Sequence, residues 1–560
     1  MTGSEKYVRD GDRTKVIVDY EPVGKRIYAH TGQTILAAAQ GLNLFEHGIS
    51  APCGGKGICG RCLVRLITGQ LTPPSAKEIK LLGQERLNQG YRLACQAEIA
   101  GSCKIEIPVT SFIGRQQLQI DGCLQAVEPD YPMQGNRAET SHEPLGLAVD
   151  LGTTKIAAFL IRLTSGEVAA AAGILNPQIA YGEDVMSRLA FATETGVNAQ
   201  QMAEAAAKGI NELANRLTLQ LGVTVQQIDQ AVIVANTAMH HLLLRLPVRQ
   251  LACSPFIPAT ILPVEVAAEA IGLKLGQQAR VYFTPPVGGF VGGDHVAMIQ
   301  ASGIDKKQGI VLGIDIGTNT EIVLTVNGKL SSCSCASGPA FEGAHIYQGM
   351  RAINGAISEV KLLQQGKEVF WQTIGGQKPI GLCGSGIIDT VAELSKAGII
   401  AANGKLDPDN PRVRSGPGKV PEFVIVTQAD SGCGSDIVIT QKDIGEIQLA
   451  KAAIASGISI LAGTFGVSVE NLDQILIAGA FGSFLRLESA IAIGMLPALP
   501  LERYQQIGNA AGAGACMSLI SSQERRRVEV LARTIDHLDL VLQPNFKREF
   551  AKSLKFPLVY

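Results

Sequence analysis

Cys53-Gly-Gly-Lys-Gly-Ile-Cys59-Gly-Arg-Cys62 sets three thiols at the spacing C-x5-C-x2-C, and a fourth, Cys95, follows in Arg92-Leu-Ala-Cys95-Gln96. Four thiolates are the ligand set of a [2Fe–2S] cluster. Gly54, Gly55, Gly57 and Gly60 suit a loop wrapped on an inorganic core. Glycine takes positive φ and lets the backbone approach closely, and amides so placed can hydrogen-bond the sulfurs. A structural zinc site is the competing reading, but zinc favours paired C-x2–4-C knuckles and only one C-x2-C is present. Cys103 competes with Cys95 as fourth ligand. The chain has 12 cysteines; the later ones, Cys123 among them, scatter and read as small buried apolar residues.

A second chemistry is written twice. Leu145–Ile156 (LGLAVDLGTTKI) and Ile310–Ile322 (IVLGIDIGTNTEI) are each an apolar strand, an Asp-x-Gly-Thr turn with further polar residues, and the start of a second apolar strand. Gly152 and Gly317 let amides approach phosphate oxygens, while Thr153, Thr154, Thr318 and Thr320 add hydroxyl donors. Asp150 and Asp315 are suited to Mg²⁺, held through water because that ion keeps much of its hydration shell. Two such hairpins facing one another make a phosphate clamp. No Gly-x4-Gly-Lys-Ser/Thr is present, so a Walker-type loop is not the source of the site. Asp294, in Gly288–Ala297 (GGFVGGDHVA), is a candidate to orient or deprotonate an attacking water; a helix N-cap is the competing role. His240 and His241 are adjacent on a helical segment, about 100° apart around its axis, and read as core or solvated histidines rather than a chelating pair.

Positioning these residues takes several layers. The chain is 560 residues long with a formal net charge of −1 and a charged fraction of 18%. That length implies two or more domains, and the neutral balance lacks the basic face of a nucleic-acid binder. No continuous apolar run reaches the roughly 18 residues that cross a bilayer, and the polar start MTGSEKYVRDGDRTK is not a secretory signal; a cytoplasmic protein with no membrane or nucleic-acid partner is the expectation. Within the first hundred residues, Lys15–Tyr20 and Arg26–His30 read as paired strands around a turn at Glu21–Gly24. Gln33–Leu42 reads as the one helix, capped by Thr34. Cys62–Ile67, Tyr91–Ile99 and Lys104–Val109 read as further strands, so that Cys95 falls in a strand. Gly114 to Glu143 is polar and turn-rich, a linker. From Pro144 apolar strands alternate with Ala- and Leu-rich helices in an α/β pattern, and the repeated hairpin implies an internal duplication.

The cysteine loop resembles that of adrenodoxin-like ferredoxins, and the Arg-Leu-Ala-Cys-Gln wording around Cys95 also resembles ferredoxins, which favours Cys95 over Cys103. The paired hairpins resemble the acetate and sugar kinase, actin and chaperone ATPase superfamily. That likeness places ATP against Asp150–Lys155 and Asp315–Glu321, with Asn319 and Lys155 in the turns. It matches the superfamily's adenosine segment to Ile475–Phe484 (ILIAGAFGSF), with Gly479, Ala480 and Gly482 beside the base. Gly381–Ile388 (GLCGSGII), centred on Gly384, is either a further nucleotide contact or a helix-packing motif. A ferredoxin-like domain joined to this ATPase resembles the reductive activators of corrinoid proteins, and Asn176–Leu189 and Asn236–His241 are worded as in that family.

The resemblance implies a β-grasp ferredoxin-like domain over residues 1–113, a linker over 114–143, and a duplicated actin-like α/β ATPase over 144–560 in halves 144–308 and 309–560. The stretch between the cluster and the first hairpin is short, and an extra middle domain found in some members is expected to be absent. The implied cofactors are a [2Fe–2S] cluster, ATP and Mg²⁺. The implied activity is ATP-dependent one-electron reduction of Co(II) to Co(I) in a corrinoid protein of a methyl-transfer system, fed by a low-potential donor. Homodimers occur in the resembled family. Two other classes stay open: an ATPase that remodels a metalloprotein without net electron transfer, and a small-molecule kinase with a redox-sensing ferredoxin domain.

Overall fold

Alternating burial organises the first unit. β1 (Lys15–Glu21) turns Val16, Val18 and Tyr20 inward and exposes or half-exposes the residues between them, the period of a half-buried strand. β2 (Lys25–His30) pairs with it antiparallel, from Lys15↔His30 to Tyr20↔Lys25. Helix α1 (Ile35–Gln40) begins at Thr34, whose Oγ1 accepts from the Ala37 amide at 3.1 Å. Then come β3 (Leu63–Leu71), helix α2 (Ala76–Asn88), β4 (Tyr91–Leu93) and β5 (Ile99–Glu106). The sheet order is β2-β1-β5-β3-β4, with β1 and β5 parallel, a ferredoxin-like β-grasp. The computed structural model describes residues 14–21, 25–40, 49, 51, 53–108, 127–130, 143–182, 184–343, 345–479 and 482–557. The turn at 22–24, the end of the first helix at 41–42, Cys123, Ala480 and most of the segment read as a linker lie outside them.

Two expectations for this unit are corrected. A second helix, α2, was missed, although Ser75 and Glu78 form a full capping box at its start, a spacing visible in the sequence. Tyr91–Ile99 is not one strand: β4 stops at Leu93, and Cys95 sits in the turn that leads to β5. A continuous strand would alternate side chains across the sheet, whereas the Gln96 and Ala97 amides both turn back to the Leu93 carbonyl at 2.8 Å.

The chain divides into one unit of residues 1–115 with 179–183, and a larger one of 116–178 with 184–560. The larger unit repeats one topology. β6 (Leu145–Leu151), β7 (Lys155–Arg162) and β8 (Val168–Leu175) form an antiparallel meander, and β9 (Ile228–Ala235) returns parallel to β6. With β10 (Val264–Ala267) and β11 (Arg280–Phe283), the order is β10-β11-β9-β6-β7-β8. The second sheet copies this with β12 (Ile310–Ile316), β13 (Thr320–Val326) and β14 (Lys329–Cys335), and with Gln474–Ala478 parallel to β12. Tyr504–Gly508 and Asp536–His537 complete its edges. This is the duplicated actin-like architecture that the repeated hairpin implies.

Two helices, Gly293–Ser302 and Ala510–Ile520, pack on each other and contribute to the cores of the two sheets. Their approach needs Gly514, where a Cβ would lie 2.3 Å from the Ala297 carbonyl oxygen. A third helix, Gln441–Thr464, is long and apolar enough to cross a membrane by length and composition, although charged residues interrupt its apolar run. Its apolar window is 67% buried inside the structure, and it packs against β13 and β14. Within the stretch read as linker, Asp130 accepts from the Ser522 amide at 2.9 Å and its hydroxyl at 2.7 Å, at the start of helix Ser522–Thr534.

Candidate functional sites

In the first unit the four thiols fall into two hydrogen-bonded pairs, Cys53 with Cys59 and Cys62 with Cys95. The Cys59 thiol and the amides of Ile58, Cys59 and Gly57 hold Cys53 well below the ordinary thiol range against the effect of burial. Cys59 is pushed up by its partner Cys53 and by burial. The second pair behaves alike: Cys62 and then the Gln96 side chain, with the Gly57 amide, favour the thiolate of Cys95. Gln96 Nε2 lies 3.6 Å from Cys95 Sγ.

Two pairs suit a rhombic [2Fe–2S] core, which takes two thiolates on each iron. The pairing is consistent with the single C-x2-C of the sequence, which lacks the second knuckle a zinc site favours. Gly54, Gly55, Gly57 and Gly60 all have positive φ, between 60° and 82°, where a side chain would be strained. Gly57 also has no room: a Cβ there would sit 2.5 Å from Gln96. Cys103 stands apart from this group, buried on β5 with its thiol pushed up to about 11 by desolvation.

The larger unit has a cleft lined by Asp150, Gly152, Thr153, Thr154 and Lys155 of the β6–β7 hairpin and by Asp315, Gly317, Thr318 and Asn319 of the β12–β13 hairpin. Asp294, Gly384 and Gly479 also line it. Neither Gly152 nor Gly317 has positive φ. They are glycine because the turns are tight: a Cβ on Gly152 would lie 2.9 Å from the Lys155 carbonyl oxygen, and one on Gly317 3.1 Å from that of Asn319. The Asn176 side chain donates to the Gly152 carbonyl at 2.8 Å, bracing the first hairpin. Ser337, bonded to Thr320 Oγ1 at 2.9 Å, braces the second. Gly479, at φ 91°, admits the Asp315 carboxylate, whose Oδ1 would be 2.7 Å from a Cβ.

Three carboxylates meet there without a counter-charge sufficient to offset their burial. Burial raises Asp150 to about 6. Burial and then Asp150 raise Asp315 to about 7, and burial, Asp150 and Asp315 raise Asp294 to about 8. Such a site favours protons or a cation. Asp294 is not the cap of its helix: Gly292 is, and the Asp294 carboxylate instead accepts from the His295 amide at 2.9 Å.

Not every expected residue lines the cleft. Thr320 is fully buried against Ser337. Gly482 is absent from the wall; a Cβ there would meet the Ile477 side chain at 2.8 Å. The Gly381–Ile388 motif divides its roles, with Gly384 and Ser385 on the cleft and Gly386 packed at the Ile357 carbonyl. His240 and His241 are buried, with their Nδ1 atoms 3.2 Å apart, closer than the helical angle suggests. His241 Nδ1 also reaches the Thr237 carbonyl and Nε2 accepts the Ala259 amide, so the rings serve packing and loop attachment. Sequence reasoning missed Glu342 and Asn509 on the wall, whereas Glu321 and Phe484, the last residues of the second hairpin motif and of the adenosine segment, line it as well. Glu342 and Asn509 carried no local signal, since neither belongs to a motif.

Comparison with known proteins follows the same division. Residues 18–100 match a 2Fe-2S iron-sulfur cluster binding domain, 145–307 the RACo middle region, and 309–559 the C-terminal domain of RACo, the ASKHA domain. The corrinoid activation enzyme RamQ of Eubacterium limosum is 35% identical over 563 residues, covering 90% of this chain and 93% of that one. A [Co(II) methylated amine-specific corrinoid protein] reductase of Methanosarcina barkeri is 26% identical over 73% of this chain and 77% of that one. A solved reductive activator for corrinoid, iron-sulfur protein superposes with a TM-score of 0.68 at 32% identity, covering 97% and 98% of the two chains. The stretch matched by the RACo middle region is the segment read as the first half of the ATPase.

Proposed function

Because the chain belongs to the family of reductive activators of corrinoid proteins, we propose that it passes single electrons to a corrinoid protein, returning Co(II) to Co(I), and that ATP hydrolysis drives the transfer. A bound [2Fe–2S] cluster supplies one-electron storage, near −400 mV in plant-type centres. Each further 100 mV uphill costs about 2.3 kcal/mol per electron, which is why an energy source is needed. Cys53 and Cys59 would hold one iron, and Cys62 and Cys95 the other. The Gly57, Ile58 and Cys59 amides at Cys53 and the Gln96 side chain at Cys95 donate toward sulfur, and such donors raise the ease of reduction.

In the cleft, Asp150 and Asp315 would hold Mg²⁺, through water, and Asp294 would orient the water that attacks the terminal phosphate. Thr153, Thr154, Thr318 and Lys155 would bind the phosphates. The segment at Gly479, with Phe484 on the same wall, would take the adenosine. The observation that carries this reading is the convergence of three buried carboxylates and two Gly-Thr hairpins on one cleft, in a chain that also pairs four thiols. Coupling requires ATP to favour one of two conformations.

The test is anaerobic visible spectroscopy of the full chain with chemical reductant, a Co(II) corrinoid protein and Mg-ATP added in turn. Co(I) is expected only with all three. Cys53→Ala is expected to abolish Co(I) and leave nucleotide binding intact. Co(I) formed by that variant, or formed equally well without ATP, would overturn the proposal. A cluster that stays in one redox state through turnover would assign the protein to metalloprotein remodelling instead, and phosphoryl transfer to an added acceptor would make it a kinase.

A further inference from the structure

The hairpins of the cleft do not face one another across open space. Thr154 Oγ1 and Thr318 Oγ1 are 2.9 Å apart. Each donates to one carboxylate: Thr154 to Glu342 Oε2 at 3.0 Å and Thr318 to Glu342 Oε1 at 2.7 Å. A hydroxyl has one proton to give and an ionised carboxylate only accepts. The close approach of the two threonines is therefore held by the acid between them. Lys155, buried in the same wall, takes its favourable charge interaction from Glu342.

Two hydroxyl donors on a pair of carboxylate oxygens, with the buried Lys155 on the same wall, describe an anion seat, and here a side chain of the protein sits in it. Glu342 ends the short 3-10 turn Pro339–Glu342, between Gly338 at φ 73° and Gly343 at φ 81°. Both flanking residues hold conformations favourable only to glycine, so the turn is shaped to present this carboxylate.

We infer that Glu342 is an internal occupant of the phosphate seat, which nucleotide must displace to engage Thr154, Thr318 and Lys155. The inference rests on the nucleotide reading of the cleft. It makes phosphate affinity the outcome of an exchange of one anion for another. It also links binding to movement of the Pro339–Glu342 turn, whose Phe341 is buried in the core of the second half.

The test is isothermal titration of the full-length protein with its cluster, using a non-hydrolysable Mg-ATP analogue, inorganic phosphate and adenosine as probes. Glu342→Gln keeps the shape and removes the competing charge, so the analogue and phosphate are expected to bind about tenfold tighter, some 1.4 kcal/mol. Adenosine affinity is expected not to change, because it lacks the phosphates. Glu342→Asp, too short to reach both hydroxyls, is expected to tighten phosphate binding as well and serves if the glutamine variant does not fold. Unchanged or weaker binding of the analogue in the folded variants would overturn the inference and assign Glu342 to the cation or the attacking water. An equal change for adenosine would reduce it to a general structural effect. A wild-type protein that binds neither phosphate-bearing probe would refute the nucleotide reading itself.

Discussion

Replacing Glu78 should detach the cluster from its scaffold, although this residue touches no sulfur. Its carboxylate is fully buried. It takes Arg92 Nε at 2.9 Å and Nη2 at 3.1 Å, the Leu93 amide at 3.0 Å and the Ser75 amide at 2.8 Å. Helix α2, strand β4 and the turn bearing Cys95 are thus joined at one group, and the Ala94 amide ties that turn to the Cys62 carbonyl at 2.8 Å. Glu78→Ala leaves the Arg92 guanidinium 7% exposed and unpaired. Removing one member of a buried ion pair costs about 3–5 kcal/mol, and losing half of the capping box adds about 1 kcal/mol, against a total domain stability of about 5–15 kcal/mol.

The acid dependence has a definite sign. Burial pulls the Glu78 carboxyl upward, but Arg92 and the Ser75 and Leu93 amides outweigh it and hold the group below its ordinary 4.5. A depressed carboxylate stabilises the fold at pH above that value, and its contribution is lost as pH falls through the folded pKa. The assay is loss of visible cluster absorbance under urea, repeated from pH 7 down to pH 4. The alanine variant is expected to lose the cluster at much lower urea and to lack the wild-type acid step. Arg26→Ala, at the exposed pair with Asp19, is expected to leave the transition unmoved and serves as the control. A Glu78→Ala protein with wild-type cluster retention and an unaltered acid profile would refute the argument that this joint holds the turn.

Two further outcomes follow from the sites. Cys95→Ala is expected to yield protein without the [2Fe–2S] absorption, and Cys103→Ala to retain it, because only Cys95 pairs with Cys62; the reverse pattern would move the fourth ligand to β5. The folded protein binds protons at Asp150, Asp315 and Asp294, raised to about 6, 7 and 8, that the unfolded chain releases near 3.8. Their contribution to stability therefore declines as pH rises from about 4 towards 8. On the proposed metal role a cation replaces those protons, so the rise in Tm on adding Mg²⁺ should grow from pH 6 to pH 8.5 and vanish in Asp315→Ala; a pH-independent increment would reject that role.

Much of both sites was legible because their residues are close in sequence. Three thiols and four glycines lie within ten residues, and each Gly-Thr hairpin is a strand, a tight turn and a strand whose register is set by the turn itself. The misses have a common cause. Tyr91–Ile99 reads as one strand on its apolar pattern, and the break at Cys95 comes from amides turning back to Leu93, which no periodicity displays. Helix α2 was overlooked in spite of its Ser75–Glu78 spacing because its many charged residues give little apolar rhythm. Thr320 and Gly482 matched their motifs by wording, yet packing against Ser337 and Ile477 withdrew them from the cleft.

What the sequence determined by itself is the local chemistry: four thiols, two Asp-x-Gly-Thr hairpins and the duplication that relates the second to the first. Short-range spacing and backbone permissiveness are enough for that. Only the tertiary structure decided which groups meet from afar. It sorted the thiols into two pairs, brought Asp294 to Asp150 and Asp315, and set Glu342 between Thr154 and Thr318, residues 188 and 24 positions away from it. Such meetings depend on how sheets and helices pack, and packing sums many small non-local contacts that no single segment encodes.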